Sequence, residues 1–230
     1  MHKHVKFITS LASIVFFFGN MPYMIEILTG IRGLADLVDI LFLLPSLSIL
    51  FLLLFREFGG AENRYRYLFY LFLIVMIEGH GIHWAANMIH NSMLPGERGY
   101  DTAYFLDEIL GHVIFFSGVY LSLLYITYLR LGMTCQLTPD DRLMILLSSL
   151  VVGYAFSLST IEGQIIIPFL IIVGVTLGVM MLISRWKRWN VLDDAWTSFV
   201  VQMFIFFYIF SILYYITFGS FRQPSEIFNF

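Results

Sequence analysis

The chain is poor in cysteine and in charge. Cys135 is its one cysteine, which excludes an internal disulfide and any metal site built on thiolates. Asp, Glu, Lys and Arg make up 13% of the residues, where a soluble domain carries about a quarter. The net charge of −3 leaves no basic excess, so nucleic acid is excluded as a partner. There is no Pro/Gly-rich linker, low-complexity tract or evident repeat, and residues 1–230 read as a single polytopic membrane domain. Alternating apolar and polar residues are also missing; the apolar runs are continuous, and an open sheet could not satisfy its edges in lipid.

What the chain has is apolar length. It is 59% hydrophobic with a mean hydropathy of +0.83. Seven runs, covering approximately 6–28, 34–55, 66–91, 102–129, 142–160, 163–184 and 195–218, each approach the roughly 20 helical residues that cross about 30 Å of hydrocarbon. The first follows a basic start and resembles a signal sequence, but it lacks a small-residue cleavage site and reads as a retained span. The expected fold is an all-α integral membrane protein of seven transmembrane helices. Pro45 is expected to kink the second.

Charge sets the orientation. With seven crossings, Lys3, Lys6, Arg56, Arg64, Arg66, Arg130, Arg142, Arg185, Lys187 and Arg188 fall on one face, and Arg32, Arg98 and Arg222 on the other. Basic loops stay in the cytoplasm, which puts the N-terminus inside and the C-terminus outside the cytoplasm. Trp186, Trp189, Trp196, Tyr65 and Tyr67 suit an inner interfacial belt. His2 and His4 read as solvated tail residues.

The segment from Glu78 to His112 breaks the apolar pattern. It holds His80, His83, His90 and His112, four of the six histidines, with Glu78, Glu97, Asp101, Asp107 and Glu108. Ionisable groups at membrane depth are costly and usually functional. As an antiparallel hairpin, the third and fourth helices put His83 about 12 Å and His112 about 15 Å below their outer ends, nearly one level, at about 1.5 Å of rise per residue. At about 100° per residue, His80, His83, Asn87 and His90 share one sector, Glu108 and His112 share a face with Asp101, and Glu78 points away. Glu26, Asp36 and Asp39 lie in the same outer half. The inner halves are almost purely apolar. Gly79, Gly81, Ala85 and Ala86 allow close approach of a neighbouring helix.

Imidazole with carboxylate is the donor set of a divalent transition metal, zinc or else iron or copper. The expected ligands are His83, His112 and Glu108, with His80 next and His90 at the mouth or on a second ion. Asp101, Asn87 and Glu26 would orient them. Asp107 or Asp39 would serve as general base to a metal-bound water. The expected function is a metal-dependent membrane enzyme acting on a lipid or other amphipathic substrate at the outer leaflet, by activated water or by metal-centred oxidation. A transporter or proton-coupled carrier is the alternative, but it would need polar groups in the inner halves. A haem-binding or accessory subunit of a larger complex is a third, though histidines at both membrane faces would suit it better. Homo- or hetero-oligomers through helix packing are expected partners.

Overall fold

The computed structural model describes residues 2–30, 34–58, 62, 64–224 and 227, and the side chains of 22, 23, 26, 27 and 36 also lie outside the description. Seven helices follow in chain order. We label as α1 the continuous helix Lys3–Ile14, Val15–Asn20 and Met21–Thr29, and as α2 Leu34–Val38, Asp39–Leu43 and Leu44–Glu57. Then come α3 (Arg66–Asn91), α4 (Tyr100–Tyr104, Phe105–Gly111 and His112–Arg130), α5 (Pro139–Glu162), α6 (Ile166–Trp186) and α7 (Ala195–Phe218). No strand occurs among the described residues.

Among the described residues, six helical stretches are long and apolar enough to cross a membrane: Asp39–Glu57, Arg66–Asn91, Tyr100–Arg130, Pro139–Glu162, Ile166–Trp186 and Ala195–Phe218. The expected first run, in α1, is helical but is not one of the six. The fifth run, which reads as the shortest in the sequence, becomes a helix of 24 residues. A capping box extends its start: Thr138 Oγ1 accepts from Asp141 N (3.2 Å), and Asp141 Oδ2 accepts from Thr138 N (3.1 Å).

The middle portions of α1, α2 and α4 are π-helical: Val15–Asn20, Asp39–Leu43 and Phe105–Gly111. Pro45 follows the second of these. Its ring lacks an N–H and crowds the carbonyl four residues back, and the chain accommodates it by widening the preceding turn.

Successive helices alternate in direction, and contacts at the two ends fix this order. At the end carrying the N-terminus, Lys3 Nζ pairs with Glu57 Oε2 (2.6 Å), the His2 amide donates to Asp141 Oδ1 (2.9 Å), and Arg130 pairs with the fully buried Asp194. Asp194 also caps α7 by accepting from Trp196 N and Thr197 N. His2 and His4 are therefore anchored, not solvated, and the His4 ring packs edge-on against Phe58 at 4.7 Å. Trp196 is not interfacial either. It is completely buried and donates from Nε1 to Thr127 Oγ1 at 3.1 Å.

The helices pack through aromatics and glycines. Phe55, Phe69, Phe199, Phe204 and Phe207 are fully buried. Where α3 crosses α4 the backbones nearly touch: a Cβ on Gly79 would sit 2.1 Å from Phe115 N, and one on Gly118 would sit 2.3 Å from Met76 N. Gly81 and Ala85, in contrast, face outward, and Gly81 has open space around it.

Candidate functional site

The α3–α4 crossing seats the histidines. A Cβ on Gly111 of α4 would fall 2.7 Å from His83 Cβ, and one on Gly163, just past α5, would fall 2.5 Å from His112 Cγ. Each imidazole thus occupies room left by a glycine on a neighbouring segment. The two rings meet edge to face with centroids 4.4 Å apart, and His80 lies one turn along α3 with its centroid 6.2 Å from that of His83.

Asp107 sits behind them, only 1% exposed. Its carbonyl oxygen is 3.2 Å from His83 Nδ1 and 3.2 Å from His112 Nδ1. A carbonyl can only accept, so both Nδ1 atoms carry the proton, and in the neutral ring Nε2 holds the lone pair. Asp107 Oδ1 is also 2.7 Å from His83 Nδ1, and Oδ2 is 3.7 Å from His90 Nδ1. A carboxylate this deeply buried requires a positive partner.

Position 107, not 108, meets the histidines because of the π-helical turn. Along a regular α-helix, residues i and i+4 share a face, which pairs Glu108 with His112. A π turn bonds i to i+5 and brings Asp107 beneath His112 instead. Glu108 turns aside, where its Oε2 accepts from Gln223 Nε2 at 2.8 Å. Of the two acids, Asp107 is the one in contact with the imidazoles, and Glu108, expected as a ligand, lies in a polar cluster with Gln223, Tyr104 and Gln164 at the far end of the bundle.

The remaining candidates separate. His80 is buried, and its Nε2 has no hydrogen-bond partner. His90 packs tilted against Tyr100 and edge-on against Tyr104, with centroids at 4.7 and 5.3 Å. Asn87 accepts from Asn91 Nδ2 at 2.5 Å, and Asp101 is exposed. Glu26 and Asp36 lie outside the described side chains. Asp39 lines the same cavity as the histidines.

That cavity has a volume of about 160 Å³. His80, His83, His112, Asp39, Asn20 and Ser159 form its polar part, and Leu11, Phe51, Leu123 and Met203 are among its apolar walls. Asn20 and Ser159 escape a sequence reading focused on ionisable groups. Asn20 is visible only as an amide interrupting an apolar run, and Ser159 is one of several serines in α5. Two of the π-helical segments line the cavity directly, Val15, Gly19 and Asn20 from the first and Asp39 and Leu43 from the second, while the third places Asp107 against the histidine rings from outside it. Such turns concentrate at functional sites.

Chemically, the arrangement sets paired imidazoles, whose Nε2 atoms hold the lone pairs, beside a mostly apolar space that a carboxylic acid, Asp39, also lines. Among the described residues, no three His, Cys, Asp or Glu side chains converge tightly enough to hold an ion as they stand. A scan against protein-family models finds no match, and comparisons with curated proteins and with solved structures find none either.

Proposed function

We propose that the protein is a metal-dependent membrane enzyme of seven spans, with α1 as the first, the N-terminus cytoplasmic and the histidine cavity near the extracytoplasmic face. Its ion, zinc or else iron or copper, is held by Nε2 of His83 and His112, with His80 completing the set. The carrying observation is that both ligand rings turn Nδ1 onto Asp107, the arrangement by which ligating histidines are oriented and made more basic. A tetrahedral ion about 2.0–2.1 Å from each nitrogen holds neighbouring ring centroids roughly 5 Å apart. The pairs at 4.4 and 6.2 Å straddle that value, so small side-chain rotations assemble the site. The ion also adds positive charge beside Asp107, through the ring that its carboxylate meets.

A bound water would lose its proton to Asp39 and attack an ester or amide carbonyl of an amphipathic substrate, and the leaving group would take the proton back. Asp107 is a positioning residue in this scheme, not a base. With iron or copper, the same nitrogens would support oxidation of the substrate. The apolar inner end of the cavity favours an enzyme over a carrier, because it offers no polar path onward. Rings 4.4 Å apart leave no room for a haem plane between His83 and His112. Outward-facing Gly81 and Ala85 suit helix packing in an oligomer.

Elemental analysis of the purified protein tests this reading. Near-stoichiometric metal is expected, lost in His83→Ala and His112→Ala and retained in Glu108→Gln. A metal-free wild type, or variants at both histidines with full metal content, would overturn it.

A further inference from the structure

The cavity is long and directional. Along α4 it is lined from His112 to Leu123, or about 16 Å at about 1.5 Å per residue. Along α2 it runs from Asp39 to Phe51, about 18 Å, and along α1 from Asn20 back to Leu11, about 14 Å. Three helices therefore give one length independently. On each, the polar lining residue lies at the same end, and Phe51, Leu123 and Leu11, with Met203 of α7, line the other. A compact cavity of about 150 Å³ admits one benzene ring. Here a volume of about 160 Å³ is drawn out over that length, so the cavity is an elongated, narrow shaft and not a compact void.

We propose that this shaft holds the single hydrocarbon chain of a linear amphiphile, tail down toward Leu123 and Met203 and polar head at His83, His112 and Asp39. The substrate class is thus a one-chain acyl compound, not a sterol or a two-chain lipid. A fused ring system is too wide, and a second chain has no second shaft. The inference rests on the enzyme reading for what happens to the head. The tail's place follows from shape and lining alone. The shaft walls are apolar and buried, so a chain leaving bulk lipid gains close contacts there without meeting an unpaired polar group.

Photolabelling of the full-length protein in nanodiscs with hexadecanoic acid carrying a diazirine tests the proposal. With the diazirine at the chain end, adducts are expected on Phe51, Leu123 or Met203; with it beside the carboxyl, on Asn20 or His112. Leu123→Phe is expected to weaken competition by hexadecanoic acid at least tenfold while leaving octanoic acid unchanged. Ala155→Phe, higher in the shaft, serves as a second variant and should weaken both acids. Adducts scattered over outward residues such as Ile171 and Val175 wherever the diazirine sits, or a chain-length profile indifferent to both variants, would overturn it. Metal analysis of the same preparation separates the two ideas. Metal present with only surface labelling removes the shaft and keeps the ion, whereas shaft labelling in a metal-free protein keeps the chain site and removes the ion.

Discussion

His83 Nδ1 lies 2.7 Å from the carboxylate of Asp107 and 3.2 Å from the carbonyl of the same residue, which also meets His112 Nδ1. One residue thereby fixes the tautomer and facing of two imidazoles from two helices. Asp107→Asn removes the charge while keeping shape and backbone. Loss of such a partner typically costs about 10–100-fold in metal affinity. We expect a loss of that size in a metal titration, with insertion into the membrane unaffected, and no change in Glu108→Gln. Equal affinities in Asp107→Asn and the wild type would remove Asp107 from the site.

That contrast between neighbours marks where sequence reasoning stops. The helical class, the pairing of α3 with α4 and the common level of His83 and His112 follow from apolar run lengths and rise per residue, which depend little on tertiary contacts. Helical phase depends on them strongly. A single π turn displaces the facing by one residue, and its presence at Phe105–Gly111 reflects packing that no local periodicity announces. Hence a straight helix would turn Glu108 toward His112, whereas in the folded bundle Asp107 meets the imidazoles. Gln223 is similarly illegible. It lies beyond the last apolar run, where the chain has no period, yet folds back to accept from Tyr104 and donate to Glu108. The burial of Trp196 depends on Thr127, 69 residues away.

The α3–α4 crossing makes a stability prediction with an internal control. A methyl group on Gly118 would meet Met76 N at 2.3 Å and one on Gly79 would meet Phe115 N at 2.1 Å, so backbone must move. Overpacking of this kind costs roughly 1–3 kcal/mol and sometimes more. Gly79→Ala and Gly118→Ala should lower the thermal midpoint in detergent by several degrees or abolish folding. Gly81→Ala, on the same helix but facing open space, should leave the midpoint unchanged or raise it slightly, since alanine favours helix. Similar midpoints for all three would mean that the crossing is looser than described.

Asp194 is predicted to hold the other end of the bundle. It is fully buried, pairs with Arg130 and caps α7, while Arg130 also lies 5.0 Å from the Phe58 ring. Removing one partner of a buried pair leaves a charge stranded and costs about 3–5 kcal/mol. Asp194→Ala should therefore shorten the lifetime of the folded protein in detergent sharply. Asp140→Ala, an exposed acid in the first turn of α5, should cost less than about 1 kcal/mol. Equivalent losses from the two would show that the pair contributes nothing beyond surface electrostatics.

The orientation of the bundle decides from which leaflet a substrate reaches the histidines, and it can be tested without any assay of activity. Contacts among Lys3, Glu57, Arg130, Asp194 and Asp141 gather the starts of α1, α5 and α7 and the ends of α2 and α4 at one end. The chain's ten basic residues of the inner set lie at or near that end, and among the described residues Arg98 and Arg222 lie toward the other. Such a bias keeps an end cytoplasmic. Because Cys135 is the one native cysteine, a Cys135→Ser background is blank for thiol labelling. Glu97 in the α3–α4 turn and Gln136 before α5 are both exposed and lie at opposite ends. In intact cells, a membrane-impermeant maleimide should label Glu97→Cys at once and Gln136→Cys only after permeabilisation. The reverse pattern would put the polar mouth of the shaft at the cytoplasmic leaflet. Asp39, His83 and His112 would then meet amphiphiles arriving from inside the cell, and the basic residues would face outward against the rule that most membrane proteins obey.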